Sequence, residues 1–191
     1  MTKKFKGTLF LVVGNSGSGK DSIIQGALER YPSQRNKLYA PKRYITRPPS
    51  ETEDNISVSP EEFKTLSQQG KFALEWHIYG LDYGVPIEID ELLKKGHSVA
   101  INVSREIVPS AREIYKNIKV IFIEVPLEIT LERLKGRARE TGKRLNERIE
   151  RARNNQHYHE ADSIINNTGK LNDAIDKFLN YIIKVSESKN K

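Results

Sequence analysis

What most constrains this chain is the stretch Gly14-Asn15-Ser16-Gly17-Ser18-Gly19-Lys20-Asp21. An apolar run, Thr8-Leu9-Phe10-Leu11-Val12-Val13, precedes it. A helical pattern follows, with Ile23, Ile24, Ala27 and Leu28 on one face. Strand, glycine-rich loop and helix form the setting in which GxxxxGK reads as a phosphate loop. Glycines let the backbone turn tightly, so that successive N–H groups point inward at phosphate oxygens. The helix start adds unpaired donors and its positive end. Lys20 supplies a mobile cation. The position after it usually carries Ser or Thr for Mg²⁺, and here it is Asp21, followed by Ser22. Two roles stand open. Asp21 enters the metal shell, as an oxygen ligand can, or it caps the helix while Ser22 reaches the metal.

A length of 191 residues suits a single domain carrying an insertion. We read residues 1–185 as that domain and 186–191 as a disordered tail. No run approaches the ~20 apolar residues of a membrane span. The first apolar stretch is short and ends in Gly-Asn-Ser-Gly, so it reads as a strand and not a signal peptide. There are no cysteines, hence no disulfide and no thiolate metal site, and a cytoplasmic location is expected. The net charge of +7 concentrates between Arg133 and Arg153, where nine basic residues meet three acids. No aromatics interleave with them, as a single-strand-binding platform would require. Small anionic substrates are therefore expected, with no nucleic-acid or membrane partner.

Along the chain, Leu38–Thr46 reads as an extended segment, and 48–55 as a polar loop. Ser59 caps a helix that starts with Pro60. Phe72–Trp76 reads as a strand and His77–Gly84 as a loop aimed at a ligand. A helix is expected from Pro86 to Lys95, a strand from His97 to Val103, and a helix capped by Ser104 and running to Tyr115. Val120–Val125 is strand, Pro126 opens a helix, and 145–158 is helix. A last strand spans Asp162–Asn166, before an amphipathic helix from Leu171 to Val185. Alternating strands and helices predict an α/β fold with a mostly parallel sheet and helices on both faces. Residues 38–85 would form a small acceptor-binding insertion and 136–146 a basic lid.

A phosphate loop in so small a chain suggests a small-molecule kinase. Phosphoryl transfer needs positioning and spread-out positive charge more than covalent help. The lid region offers Arg133, Arg137, Arg139, Arg144 and Arg148, of which Arg137 and Arg148 are the expected catalytic cations. Lys135, Lys143, Arg151 and Arg153 are expected on a solvated face. On the acceptor side Arg43 and Arg47 can grip a phosphate as paired forks. Tyr44 and Tyr83 can donate hydroxyls, and His77 is a candidate acceptor contact.

These residues resemble a family. The phosphate loop, Ile45-Thr46-Arg47, Leu74-Glu75-Trp76, Tyr83-Gly84 and the arginines at 133 and 137 resemble guanylate kinases, in the same order and at compatible spacing. Asn167 falls where that family places an adenine-contacting asparagine. The resemblance implies ATP bound by the loop, Ser22, Arg133 and Asn167. It departs where guanine would be read, since Asn102 and Ser104 stand where acids are expected; only Glu75 remains. The loop around Asn55 is shorter by about four residues on this alignment and lacks a tyrosine. These departures, with Lys20-Asp21 and Asn102-Val103-Ser104-Arg105, resemble the ribose 1,5-bisphosphate phosphokinases. That resemblance implies ATP as donor, Mg²⁺ as cofactor and a sugar bisphosphate as acceptor, with Asn102, Ser104 and Arg105 reading the ribose or its second phosphate. A phosphate acceptor has a second pKa of about 6, so no general base is required. The alternatives are a guanylate or other nucleoside-monophosphate kinase, and a kinase-dead binding module. Monomer and homodimer both fit the sequence.

Overall fold

The computed structural model describes residues 2–34, 37–49, 54–136 and 143–188. The first half contains β1 (Leu9–Val13), α1 (Lys20–Arg30), β2 (Leu38–Tyr39), β3 (Tyr44–Ile45), β4 (Ile56–Ser57), α2 (Pro60–Gln68), β5 (Phe72–Ile78) and β6 (Leu81–Pro86). The second contains α3 (Ile89–Lys94), β7 (Ser98–Asn102), a 3-10 turn (Arg105–Ile107), α4 (Val108–Ile114), β8 (Ile118–Glu124), α5 (Leu127–Gly136), α6 (Lys143–Asn154), β9 (Ser163–Asn166) and α7 (Leu171–Glu187).

Five strands form an all-parallel sheet in the order β2-β7-β1-β8-β9. All of β1 is buried, and its alternation explains why both faces are covered. Leu9, Leu11 and Val13 face a core closed by Ile89 and Leu93 of α3 and by Val108 and Ala111 of α4. Phe10 and Val12 face a second core, built on Ile23 and Ala27 of α1 and Ile175, Phe178 and Ile182 of α7. A parallel sheet with helices on both sides buries each strand twice, which is why its strands read as unbroken apolar runs. The expected fold class is the observed one. Among the described residues no helix is long and apolar enough to cross a membrane.

A second, four-stranded sheet, β4-β3-β6-β5, stands against the carboxyl ends of the main strands. It contains an antiparallel β5–β6 hairpin in which Ile78 pairs with Leu81. This corrects the reading of 77–84 as a loop. The turn is Tyr79-Gly80, with φ of 55° and 71°. Both are left-handed, as a two-residue hairpin turn of the right twist requires. The usual asparagine is replaced by tyrosine, so the turn signal was hidden.

Other boundaries shift for local reasons. Leu38–Tyr39 joins the main sheet beside β7, so the small sheet begins after it. Pro86 closes β6 opposite Phe72, and α3 starts only at Ile89. Ser104 caps the 3-10 turn, accepting from the Glu106 N–H, and α4 follows as a separate helix with Pro109 in its first turn. Ser59 caps α2 as expected, its Oγ accepting from the Glu62 N–H at 3.1 Å. The final helix extends to Glu187, and Ser186 Oγ lies 2.9 Å from Ser98 Oγ. Within the expected tail, 186–188 are therefore placed, and 189–191 lie outside the described residues.

Candidate active site

The loop after β1 adopts the expected cradle. Gly17 and Gly19 have φ of 85° and 88°, a region that side chains rarely tolerate. Gly19 is fixed a second way, because a Cβ there would meet Asn167 Nδ2 at 2.5 Å. Lys20 opens α1 and curls back over the loop. Its ammonium donates to the carbonyls of Gly14 and Asn15, both at 2.9 Å. The cation is thus held where phosphate oxygens would sit among the loop N–H groups.

Side chains from three distant elements brace the loop. Asn167, just past β9, is buried and donates Nδ2 to the Ser18 carbonyl at 2.8 Å. Arg133 of α5 donates to the Gly17 carbonyl at 3.2 Å. Arg105 donates to Asn15 Oδ1 at 3.2 Å and to the Asn155 carbonyl at 2.7 Å. Its guanidinium lies over the rings of Phe122 and Tyr158, at 4.8 and 5.5 Å. Burial, with the Arg151 charge nearby, lowers its pKa to about 10. Asn167 and Arg105 were expected to contact adenine and sugar. Here both are engaged in holding the loop, although Arg105 also reaches the pocket wall.

The cleft lies between this loop and the small sheet. Asn15, Ser16, Lys20, Asp21, Ser22, Arg43, Arg47, Tyr83, Asn102, Ser104 and Arg148 all line it, as expected of site residues. Asn102 does not stand free there: its Nδ2 donates to Asp21 Oδ1 at 2.8 Å. Arg43 donates to the Asn102 carbonyl at 2.8 Å and lies 3.8 Å from the same carboxylate. The asparagine therefore orients Asp21 beside the cradle. Arg148 donates to Ser16 Oγ at 3.0 Å. Tyr83 stacks on Trp76, the rings 5.2 Å apart and nearly parallel.

Three residues expected on the acceptor side are not brought to this cleft. The ladder pairs Glu75 with Gly84 and His77 with Asp82. Strand alternation puts them on the face opposite Trp76 and Tyr83. His77 Nδ1 lies 2.6 Å from Asp82 Oδ1. Tyr44 packs its ring 5.3 Å from Phe72. Arg137 and Arg139 lie outside the described residues, as does most of the expected lid.

Sequence reasoning also missed residues. Arg151, expected on a solvated face, lines the cleft and donates to Ser104 Oγ at 3.2 Å and Glu106 Oε1 at 2.7 Å. Arg153 does lie outward, pairing with Glu150. Arg148 and Arg151 are three apart and so share a helix face, a signal that was available. Tyr79, at the hairpin tip, also lines the cleft, with Trp76 and Ile78. Burial raises the Tyr79 pKa, although Arg151 and Arg148 oppose the shift.

Among the described lining residues are Lys20 and five arginines, at 43, 47, 105, 148 and 151, against a single carboxylate, Asp21. Such a cleft suits two polyanions brought together, and its cations can spread the charge of a phosphoryl group in transit.

Known proteins resemble this chain over most of its length. The guanylate kinase family model matches residues 6–185. A ribose 1,5-bisphosphate phosphokinase from Thiobacillus denitrificans is 36% identical over 185 residues, covering 96% of this chain and 97% of that protein. One from Pectobacterium atrosepticum is 38% identical over 173 residues, covering 89% and 90%. Among solved structures, a guanylate kinase from Anaplasma phagocytophilum superposes with a TM-score of 0.70 at 20% identity, covering 95% of this chain and 87% of that one; it speaks for the fold. The chain belongs to the guanylate kinase family, among relatives that are ribose 1,5-bisphosphate phosphokinases.

Proposed function

We propose that this kinase transfers the γ-phosphoryl group of ATP to the 1-phosphate of ribose 1,5-bisphosphate, giving 5-phosphoribosyl 1-diphosphate and ADP. An oxygen of the 1-phosphate bonds to the γ-phosphorus as the bond to the β-bridging oxygen breaks. The acceptor is already an anion near neutral pH, so the protein's task is to align and neutralise.

The carrying observation is the balance of the cleft. Its one carboxylate sits beside Lys20 and is held by Asn102. Guanine presents N–H donors and calls for a carboxylate on the acceptor wall, and Glu75 is not there. A bisphosphorylated sugar calls for cations and hydrogen-bonding groups, which Arg43, Arg47 and Ser104 offer. We assign the donor side to the loop, Lys20 and Arg148, and the acceptor side to Arg43, Arg47 and Tyr83.

Asp21 and Ser22 are oxygen donors at the mouth of the cradle, and the Asp21 carboxylate is preset by Asn102, so these residues fit a nucleotide-bound Mg²⁺ that keeps several waters. When bound, the ion neutralises charge on the nucleotide phosphates. A cytoplasmic setting belongs to the same proposal.

Calorimetric titration with a non-hydrolysable ATP analogue present tests the acceptor assignment. Ribose 1,5-bisphosphate is expected to bind and GMP to give no heat. Binding of GMP alone would overturn it.

A further inference from the structure

We infer that Tyr79 is a positioning residue, whose ring holds Arg148 and Arg151 ready at the cleft in place of phosphate. The inference rests on reading the cleft as a phosphoryl-transfer site.

The hairpin turn carries Tyr79 with φ of 55°. This is a strained place for an aromatic residue, and a turn of this kind favours Asn or Gly. Backbone strain kept at a site points to a demand made by the side chain. That demand is visible. The Tyr79 ring lies 5.2 Å from the Arg148 guanidinium and 5.7 Å from that of Arg151. Both distances are within cation–π range. Arg148 also reaches Ser16 of the phosphate loop, and Arg151 reaches Ser104 and Glu106. One ring at the tip of the small sheet thus gathers two cations of α6 beside the loop.

The physical need is clear. Arg105, Arg148 and Arg151 crowd one wall with a single carboxylate, Glu106, against Arg151, and the excess positive charge repels until a polyanion arrives. The electron-rich face of Tyr79 partly replaces that polyanion. Both guanidiniums then start from the cleft and not from solvent, so less ordering remains when ATP binds. The contact also links the small sheet to α6.

Two substitutions separate this role from a structural one. Tyr79→Asn relaxes the turn and removes the ring. Tyr79→Phe keeps the ring and the strain, and removes the hydroxyl. Thermal unfolding, ATP affinity by calorimetry and turnover are measured for each. Tyr79→Asn is expected to unfold at the same or a higher temperature, and to bind ATP about tenfold more weakly, the scale of a cation–π pair. Its turnover falls with it, and Tyr79→Phe recovers most of both losses. ATP affinity unchanged in Tyr79→Asn would overturn the inference, as would a lowered unfolding temperature that accounts for the loss. A Phe variant as poor as Asn would overturn it too, by assigning the effect to the hydroxyl. ATP affinity needs no acceptor. A chain that binds ATP yet leaves ribose 1,5-bisphosphate untouched would therefore refute the acceptor assignment without touching this one.

Discussion

Asn102 is where a residue's type and its role part most clearly. Its place on the end of β7 suggests a reader of the sugar. In the structure its side chain donates to Asp21 at 2.8 Å, and its carbonyl holds Arg43. With Asp21 as the proposed Mg²⁺ ligand, a partner that orients its carboxylate is expected to govern metal affinity about 10–100-fold. Asn102→Ala is therefore expected to raise the Mg²⁺ concentration needed for half-maximal ADP release by about that factor. If Asn102 contacts the acceptor instead, the KM for acceptor would rise and the Mg²⁺ dependence would stay. Residue roles of this kind were only half legible in the sequence. The phosphate loop could be read because glycine, lysine and spacing together are rarely anything else. Asn167 and Arg105 were read only as ligand contacts, and their hold on the Ser18 carbonyl and on Asn15 is a further role that nothing in a one-dimensional pattern announces.

At the scale of elements, one carboxylate ties β8 and α4 to the loop before β9. Asp162 accepts from Lys119 at 2.9 Å, from the Val120 N–H at 2.8 Å and from Arg112 at 3.1 Å. Burial works to raise its pKa, but these three donors outweigh it and hold the group below its ordinary value of 3.8. A depressed acid contributes stability that is complete above its unfolded pKa and is lost as pH falls through the folded one. Asp162→Asn should therefore unfold at a lower temperature than the parent at about pH 7, and the difference should shrink away as the pH falls below the ordinary carboxylate range. A difference that persists in acid would show that the carboxylate's charge is not the cause. Elements themselves were legible wherever period and breakers agreed, as in β1, α2 and α7. They failed at the β5–β6 hairpin. Its turn relies on Tyr79 in a conformation that its residue type does not announce, held by the pairing of β6 with β5.

At the scale of the whole molecule, two sheets divide the work. The parallel sheet sets the phosphate loop at the end of β1, which is buried between its two cores. The small sheet carries Arg47, Tyr83 and Tyr79 toward it, and α6 supplies Arg148 and Arg151 between them. A chain net-charged at +7 spends much of that excess on one cleft, which is why its composition alone pointed toward anions without naming them. The fold and the donor side followed from the sequence pattern. On the acceptor wall Arg43, Arg47 and Tyr83 were legible as well, whereas Glu75, His77 and Tyr44 were not, because the alternation of a β5–β6 hairpin read as a loop turns them away from the cleft. The most direct measurement is phosphorus NMR of the chain with ATP, Mg²⁺ and either ribose 1,5-bisphosphate or GMP, with Lys20→Ala as control. A new diphosphate signal with the ribose bisphosphate alone, lost by about 100-fold or more in rate in the control, is the predicted result. Turnover of GMP alone, or equal turnover by Lys20→Ala, would contradict the account.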